Sequence, residues 1–431
     1  MSEMKVCVVG LGYIGLPIAS LLASQNYKVH GVDIDENVVR MIRNGDTHII
    51  EQDLDCLVKK AVKNKMLTVS NRPIQADTFI ISVPTPISVY YEPDVSYVKN
   101  AVNSIVPFLK NGDLVIIEST CPVGTTEMVT DVIEQERPDI VVRSNQKEDE
   151  KARVYVAYCP ERVLPGRILQ ELRENNRVVG GINEESTKKA IAFYEGFVEG
   201  DLLGTNSRTA EMVKLTENSF RDVNIAFANE LSIICEHLQV NVWELITLAN
   251  HHPRVNILKP GPGVGGHCIA VDPWFIVNSA PEQSKLIYTA RVVNDNKMYH
   301  VIQKIKEETM KLSKPTIACL GLSFKANIDD LRESPALKIV ESLIEDMHKK
   351  EILVVEPYIS ELPATIQKEG MRLTTIDEAL EKAEVIVLLV DHDQFKSINT
   401  EALENKAIID TRGMITYFTR KEYHTQVEYN S

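Results

Sequence analysis

The stretch KPGPGVGGHCIAVDP, from Lys259 to Pro273, contains the residue types best suited to covalent chemistry. It places Cys268 behind four glycines and two prolines, and Asp272 four residues further on. Glycine lets a ligand or another backbone approach closely, and proline stiffens the turns between. A thiol in a rigid loop beside a carboxylate indicates a covalent nucleophile. The alternative is a glycine-rich turn with a buried cysteine, and the loop alone does not decide between them.

A second set of candidate residues lies on the longest predicted helix, from Arg208 to Leu238. This segment contains no Gly or Pro and spaces its apolar residues as an amphipathic helix does. Lys214, Asn218 and Arg221 follow one another at intervals of four and three residues, so they share a face of the helix. The residues alone favour an exposed polar face, on which Glu211 and Lys214 form an ordinary ion pair.

The N-terminal segment has the order of a dinucleotide-binding unit. An apolar strand from Lys5 to Val9 is followed by GLGYIG and then by the helical pattern LPIASLLAS. Gly10 permits the tight turn, Gly12 admits a pyrophosphate to the backbone, and Gly15 allows close packing of the helix. The second strand ends in Asp33, at the offset of a carboxylate that binds an adenosine ribose, which favours NAD over NADP. The predicted cofactor-binding residues here are Gly10, Gly12, Tyr13, Ile14, Gly15 and Asp33.

Further strands of the predicted parallel sheet end in polar residues beside prolines. VPTP contains Thr85, and ESTCPVG contains Ser119 and Thr120. Ligands of parallel sheets lie off the carboxyl ends of the strands, so these hydroxyls are placed to meet one. The alternative to ligand binding is that these hydroxyls cap a helix N-terminus. For Ser119 the two interpretations are equally favoured, whereas for Thr120 we favour a functional role. A later strand, VYVAYCPERVLPG, ends in Pro160 and Glu161.

From Thr316 onward the alternation of strands and helices begins again, which predicts a second, smaller doubly wound domain. Its first turn, GLSFKANIDDLRESP, lacks the GxGxxG pattern, so we expect no dinucleotide there. Lys325 and Arg332 could hold a nucleotide diphosphate. They could equally pair with Asp329 and Asp330 in a loop network, and the residues leave both interpretations open.

Composition excludes several classes of function. The chain has 431 residues, too many for one core, and its net charge of -14 disfavours nucleic acid or an anionic membrane as the main partner. No apolar run approaches the ~20 residues that cross a bilayer. The seven cysteines are scattered along the chain, which predicts a protein of the reducing cytoplasm. The histidines and cysteines do not have the spacing of metal ligands, so we expect no metal. The run RSNQKEDEKAR, from Arg143 to Arg153, predicts a solvated loop.

Motifs along essentially the whole chain resemble those of the UDP-glucose/GDP-mannose dehydrogenase family, namely GLGYIG, VPTP, ESTCPVG, CPER, AEMVKLTENSF, PGPGVGGHCIAVDP and GLSFKANIDDLRESP. The resemblance implies an α/β fold with two doubly wound Rossmann-like domains joined by a central long-helix region. The implied domains are 1–205 for NAD, 206–312 for dimerisation and the cysteine loop, and 313–431 for the UDP-sugar. A homodimer or higher homo-oligomer would use two NAD⁺ to oxidise the C6 hydroxymethyl of a UDP-sugar to a carboxylate, in a pathway of polysaccharide biosynthesis.

The resemblance also implies roles for single residues. Cys268 would capture the intermediate aldehyde as a thiohemiacetal, which the second oxidation converts to a thioester. Lys214 and Asn218 would stabilise the oxyanion. This role replaces the interpretation of their helix face as an exposed polar surface, which the residues alone favour. Asp272 would act through water as the general base.

Further roles concern binding and hydrolysis. Thr120 would hold the catalytic water, Glu161 would assist hydrolysis, and Thr85 and Thr120 would complete the NAD site. Arg254 would reach the substrate of the neighbouring subunit. The implied substrate-binding residues are Glu161, Arg162, Lys214, Asn218, Arg254, Gly265, Lys325 and Arg332.

The cysteine loop also bears on the choice of sugar. Family members that act on UDP-glucose typically have Phe, Pro and Lys where this chain has Ile269, Ala270 and Val271. The loop is most similar to that of members acting on UDP-N-acetyl-D-mannosamine, with UDP-N-acetylglucosamine and UDP-glucose as alternatives. Other possible functions are a two-electron dehydrogenase of the β-hydroxyacid type, which needs no thiol, and a silent NAD-binding regulator.

Overall fold

The computed structural model describes residues 4–143, 151–164, 166–346 and 351–415, so most of the predicted solvated loop, 144–150, lies outside it. The chain divides into two compact units. The first comprises Met1–Glu217 and Trp274–Pro281, and the second Asn218–Pro273 and Glu282–Ser431. Within the described ranges, no helix has the length and apolar character needed to cross a membrane.

The first unit is built on an eight-stranded sheet of order β10-β9-β8-β5-β4-β1-β2-β3. Its strands, together with the separate pair β6 and β7, are β1 (Lys5–Val9), β2 (Lys28–Val32), β3 (Leu67–Ser70), β4 (Thr78–Ile81), β5 (Leu114–Ile117), β6 (Ile140–Val141), β7 (Ala152–Arg153), β8 (Tyr155–Tyr158), β9 (Arg177–Gly181) and β10 (Leu202–Asn206). Its helices are α1 (Gly15–Ser24), α2 (Glu36–Arg43), α3 (Leu54–Lys63), α4 (Ser96–Ile105), α5 (Thr125–Glu136), α6 (Ile168–Glu174) and α7 (Glu184–Tyr194).

Alternation of side chains along the central strands explains why helices cover both faces of this sheet. In β1, Val6 and Val8 pack into one hydrophobic core, whereas Cys7 and Val9 pack into another. Successive side chains of a strand point to opposite faces, so a continuous apolar run needs cover on both. The order from β3 to β8 is that of a dinucleotide-binding sheet, as predicted.

Two local predictions for this unit are wrong, and strand β3 was missed. The sheet is not wholly parallel, because β9 pairs with β8 in the antiparallel sense. The seven-residue α6 is too short to carry the chain back along the sheet, so β9 begins near the edge where β8 ends. The predicted loop ends in a strand, because β7 pairs with β6. Strand β3, only four residues long, was not predicted.

The second unit contains a five-stranded parallel sheet of order β13-β12-β11-β14-β15. Its strands are β11 (Thr316–Leu320), β12 (Glu351–Val355), β13 (Met371–Leu373), β14 (Val385–Leu388) and β15 (Ala407–Asp410). The predicted second doubly wound sheet is confirmed, with the unpredicted β13 at its edge. The remaining helices of the chain are α8 (Ser207–His237), α9 (Val242–Ala249), α10 (Asp272–Ser279), α11 (Lys285–Met310), α12 (Pro335–Asp346) and α13 (Ile376–Lys382).

Helix α8 begins in the first unit, ends in the second, and presents two contrasting stripes. The polar stripe consists of residues that are each at most 9% exposed, namely Glu211, Lys214, Asn218, Asp222 and Asn229. The apolar stripe consists of large side chains that are each at least 44% exposed, namely Phe220, Phe227 and Ile234 of the helix and Leu238, the residue directly after it. Intervals of three, four or seven residues keep each stripe on one side of the helix.

Candidate active site

The turn after β1 has the three distinct glycine environments that a pyrophosphate site requires. Gly10 has a φ of 91°, which favours glycine. A Cβ on Gly15 would lie 1.8 Å from the carbonyl oxygen of Gly10, so only glycine permits this close packing of α1. A Cβ on Gly12 would meet nothing within 4 Å, which leaves space for a phosphate at the start of the helix. The residues present therefore fit a bound dinucleotide.

Asp33, directly after β2, holds the glycine turn. Its two carboxylate oxygens accept hydrogen bonds from the backbone N–H groups of Leu11 and Asp35, each at 2.9 Å. An ionised carboxylate has about four acceptor positions, so capacity remains for ribose hydroxyls. Beside it in the turn, the Tyr13 side chain is 46% exposed and Ile14 is half-buried.

The two proline-flanked motifs meet at the carboxyl edge of β4 and β5. The Thr85 hydroxyl donates to the carbonyl oxygen of Thr120 at 2.5 Å. The Ser119 hydroxyl donates to the carbonyl oxygen of Val83 and accepts from its N–H, at 2.7 and 2.9 Å. The capping interpretation is wrong for both candidates, because the residue before α5 is Gly124. Ser119 joins two loops, and among the residues that the structure describes the Thr120 hydroxyl has no hydrogen-bond partner, so it can meet a ligand.

Glu161 and Lys214 form a second polar centre of the first unit. Burial raises the pKa of the Glu161 carboxyl, and the positive charge of Lys214 opposes that rise. Lys214 itself is 8% exposed on α8. The neighbouring Arg162 donates to Glu217 at 2.7 Å and to the carbonyl oxygen of Asn176. This guanidinium is therefore held by the protein and has limited donor capacity for a substrate.

Glu211 does not make the ion pair with Lys214 that the exposed-face interpretation requires. Its carboxylate accepts from the N–H groups of Gly124 and Thr126, each at 2.7 Å, and from the Thr126 hydroxyl at 2.6 Å. These groups form the first turn of α5, whose unsatisfied N–H donors need acceptors. Burial raises the pKa of Glu211. The polar face of α8 is thus buried at this point, contrary to the expectation from residues alone.

The cysteine loop and α8 contact each other within the second unit. The Asn218 amide donates to the Asp272 carboxylate at 2.5 Å, and Asp272 is 2% exposed. The Asp272 N–H donates to the carbonyl oxygen of Cys268 at 2.8 Å, which fixes the thiol and the carboxylate on one turn. Cys268 itself is exposed, so the interpretation as a buried structural cysteine is wrong.

A chain of buried amides anchors the start of this loop. The Gly261 N–H donates to the Asn229 side-chain oxygen, and the Asn229 amide donates to the Asn294 side-chain oxygen, each at 2.9 Å. The Asn294 amide donates in turn to the Asp222 carboxylate at 2.8 Å. Asp222 also receives Arg291 at 2.7 Å, with both side chains at most 2% exposed. Each amide is oriented by its neighbours, so none can flip without losing a hydrogen bond.

The first turn of the second sheet packs on the same loop. A Cβ on Gly265 would lie 2.6 Å from the Glu333 carbonyl oxygen, and a Cβ on Gly266 would lie 2.9 Å from the Phe324 ring. Lys325, which directly follows Phe324, is exposed and forms no ion pair within the described part of the chain. Lys325 is thus accessible to an anion at the surface of this turn.

The other cations proposed for the substrate have different surroundings. Arg332 pairs with Asp330 through two contacts, at 2.7 and 2.9 Å, so the loop network predicted as an alternative is present for this residue. Arg254 is exposed beside His252. Across the described ranges, no group of three or more His, Cys, Asp or Glu side chains could hold a metal ion.

Sequence reasoning missed Asp222, Asn229 and Asn294, which position the loop from α8 and α11. The available signal was the spacing of polar residues along α8, where Asp222 and Asn229 continue the face that begins with Lys214 and Asn218. No comparable signal marked Asn294, because its role depends on how α11 packs on α8.

Family models cover nearly the whole chain. The NAD binding domain of the UDP-glucose/GDP-mannose dehydrogenase family matches residues 4–198. The central domain of that family matches residues 208–296, and its UDP binding domain matches residues 318–417.

Individual relatives are similar over almost their full length. An NDP-N-acetyl-D-galactosaminuronic acid dehydrogenase of Ralstonia nicotianae is 54% identical over 95% of this chain and 96% of its own. A UDP-N-acetyl-D-mannosamine dehydrogenase of Escherichia coli is 52% identical over 96% of this chain and 100% of its own. The solved UDP-D-ManNAc dehydrogenase of Pyrococcus horikoshii is 40% identical, with a TM-score of 0.84 over 96% of each chain.

Proposed function

The chain belongs to the UDP-glucose/GDP-mannose dehydrogenase family, and from this premise we propose that it oxidises the C6 hydroxymethyl of a UDP-N-acetylhexosamine to a carboxylate. It is an NAD-dependent dehydrogenase of nucleotide sugars. The overall reaction consumes one water and two NAD⁺ per sugar and yields the uronate, two NADH and three protons. Each oxidation passes a hydride from C6 to NAD, which is the chemistry that this cofactor supplies.

We propose UDP-N-acetyl-D-mannosamine as the substrate. The support is the form of the loop at Ile269, Ala270 and Val271, together with the name of the Escherichia coli relative. UDP-N-acetylgalactosamine is the second candidate, because the Ralstonia relative is named for the galactosaminuronic acid. The uronic acid product would serve polysaccharide biosynthesis in the cytoplasm.

In the proposed mechanism, Cys268 makes a second hydride transfer possible. An unhydrated aldehyde carries no hydroxyl on the carbon that must lose the hydride. Attack of the Cys268 thiolate on that carbon gives a thiohemiacetal, and its oxidation gives a thioester. Lys214 and Asn218 donate to the oxygen on C6, where negative charge develops.

Hydrolysis of the thioester needs a positioned water. Asp272 accepts a proton from that water, Thr120 holds the water, and Glu161 assists release of the acid. The observation that carries this proposal is the buried hydrogen bond of 2.5 Å between Asn218 and Asp272, which links the helix to the cysteine loop. This contact supports the proposed roles of Asn218 as an oxyanion donor and of Asp272 as the base.

The binding roles follow the same residues. NAD is assigned to the turn from Gly10 to Gly15, with Asp33, Thr85 and Thr120. The UDP-sugar is assigned to Glu161, Arg162, Lys214, Asn218, Arg254, Gly265, Lys325 and Arg332. The existing partners of Arg162 and Arg332 imply that both guanidinium groups bind substrate through their remaining N–H donors.

We propose a homodimer built on the apolar stripe of α8. A stripe of four large side chains, each at least 44% exposed, is unusual on the surface of a monomer. Its seven-residue intervals suit packing against the same helix of a second copy. Arg254 would then reach the substrate of the partner. The division into 1–205, 206–312 and 313–431 assigns this interface to the middle domain.

The substrate proposal is tested by NADH formation with a panel of UDP-sugars, namely the UDP-linked N-acetyl forms of mannosamine, galactosamine and glucosamine, and UDP-glucose. We expect the highest kcat/KM with UDP-N-acetylmannosamine. A higher value with UDP-N-acetylgalactosamine would transfer the assignment to that sugar. Equal values with UDP-glucose would contradict the role given to the loop residues.

A further inference from the structure

A cavity of about 480 Å³ lies wholly within the second unit, with none of the proposed catalytic residues in its wall. The wall comes from the last turns of α8, the start of α9, the middle of α11 and the end of β15. Its volume falls within the range of small-molecule sites, about 300 to 1,000 Å³. Neither the fold nor the proposed reaction accounts for this space.

Lys297 of α11 places a buried positive charge at this cavity. The residue is 7% exposed, and its ammonium donates to the Ser232 hydroxyl at 2.6 Å. It forms no ion pair with any carboxylate in the described ranges. Burial lowers the pKa of Lys297 to about 8, so the ammonium still predominates at neutral pH. The Glu236 carboxylate favours the charged form of Lys297 from beyond ion-pair distance. A buried charge without a direct ion pair is still costly, so an anion in the cavity would be favoured.

The carboxylates of the wall are already engaged. Glu236 receives His300 at 2.9 Å and Lys304 at 2.8 Å, so both of its carboxylate oxygens are engaged by other side chains. Asp410 accepts from the N–H groups of Gly413 and Ile415, at 2.8 and 2.7 Å. Within the described ranges, Lys297 is therefore the cation of the wall that forms no direct ion pair, and its single charge matches a monoanion such as a carboxylate better than a phosphate dianion.

The remaining wall is apolar and includes a fixed aromatic ring. Trp243, Val240, Ile408 and Ile415 contribute to it. The Trp243 ring packs on Gly413, where a Cβ would lie 2.3 Å from ring atoms, so the ring cannot shift toward that side. A flat apolar group of a ligand can stack on this ring and pack against the apolar side chains beside it.

We propose that this cavity is an effector site for a small organic carboxylate, whose acidic group pairs with Lys297 and whose apolar part packs against Trp243. Occupancy would reach the active-site loop through Pro260. Pro260 lines the cavity, and the N–H of the next residue, Gly261, is held by Asn229. A ligand that presses on Pro260 acts on the buried anchor of the cysteine loop and so changes kcat.

The binding part is tested by calorimetric titration of 2-naphthoate into the full chain, with NAD and UDP at saturation to block the nucleotide sites. We expect one site per chain, with at least tenfold weaker binding of the uncharged 2-naphthamide. Lys297→Met should weaken 2-naphthoate binding at least tenfold. Lys306→Met, on the same helix but outside the wall, should leave binding within about twofold of the wild type.

Absence of 2-naphthoate binding to the wild type, or equal binding to wild type and Lys297→Met, would overturn the proposal. The effector part is read from the kcat of NADH formation with saturating substrates. We expect 2-naphthoate to change kcat of the wild type and of Lys306→Met, but not of Lys297→Met. An unchanged kcat in the wild type at saturating 2-naphthoate would overturn that part.

Discussion

At the scale of single residues, the two groups that would handle the thioester have opposite environments. The Cys268 thiol is exposed, whereas the Asp272 carboxylate is 2% exposed and bonded to Asn218. An exposed thiol can accept a large substrate. A buried carboxylate keeps its orientation, because the side chain and the backbone of the same turn are both hydrogen-bonded.

Replacement of Asn218 by aspartate tests the link between the helix and the loop. Asn218→Asp would set a second carboxylate 2.5 Å from Asp272, so the two would share a proton and the oxyanion donor would be lost. We expect kcat to fall by about 100-fold or more. The matched control is Asn224→Asp on the same helix, measured by NADH formation. Equal kcat values for the two variants would contradict the assigned role.

Lys297 gives a prediction for stability and its dependence on pH. Its pKa falls from 10.5 to about 8 on folding, so below pH 8 the folded chain bears the full cost of burying the charge. Between pH 8 and 10.5 the folded chain loses that proton before the unfolded chain does, and the cost declines. Lys297→Met should therefore raise the free energy of unfolding by about 3 kcal/mol at pH 7, with little gain above pH 10.5. Urea unfolding at several pH values measures this, and a destabilised variant at pH 7 would contradict it.

At the scale of elements, α8 organises the chain because its polar side is buried. Sequence patterns predicted this helix to within one residue at each end, and predicted β1 to the residue. They failed for Glu211, since its partners Gly124 and Thr126 lie far away in sequence. Periodicity reports which side of a helix is polar, but not which groups cover it.

The same limit applies to the sheets. Strand β9 was not predicted, and its direction depends on pairing with β8, which no local pattern contains. Strands β3 and β13 were missed because three or four residues at a sheet edge give too short a pattern. In the site, Cys268, Asp272 and Asn218 could be chosen from their types and spacing, whereas Asn294 required the packing of two helices.

The buried amide chain gives a prediction for the element that it anchors. Asn229→Ala leaves the Gly261 N–H and the Asn294 side-chain oxygen without the partners that Asn229 provides. We expect the free energy of unfolding to fall by about 1 to 3 kcal/mol. We also expect kcat to fall more than KM changes, because the loop that carries Cys268 loses its anchor. Asn224→Ala is the matched control, and equal stability and kcat of the two variants would contradict this account.

At the scale of the whole molecule, the apolar stripe of α8 predicts the assembly. Phe227→Glu puts a charge in the middle of the stripe, where Phe227 is 53% exposed. Burial of an unpaired charge is unfavourable, so we expect the variant to be monomeric at micromolar concentrations where the wild type is dimeric. Sedimentation equilibrium measures the mass, and Glu230→Ala on the same helix is the control. A dimeric Phe227→Glu chain would contradict the proposed interface.

In the proposed mechanism, one thiol allows a single chain to carry out two successive oxidations. The most direct measurement is the number of NADH molecules formed per molecule of UDP-N-acetylmannosamine consumed, for the wild type and for Cys268→Ala. We predict two NADH per sugar for the wild type, with the uronic acid as the product. For Cys268→Ala we predict that formation of the acid falls at least 100-fold. One NADH per sugar in the wild type, or full oxidation at the normal rate without the thiol, would contradict the account.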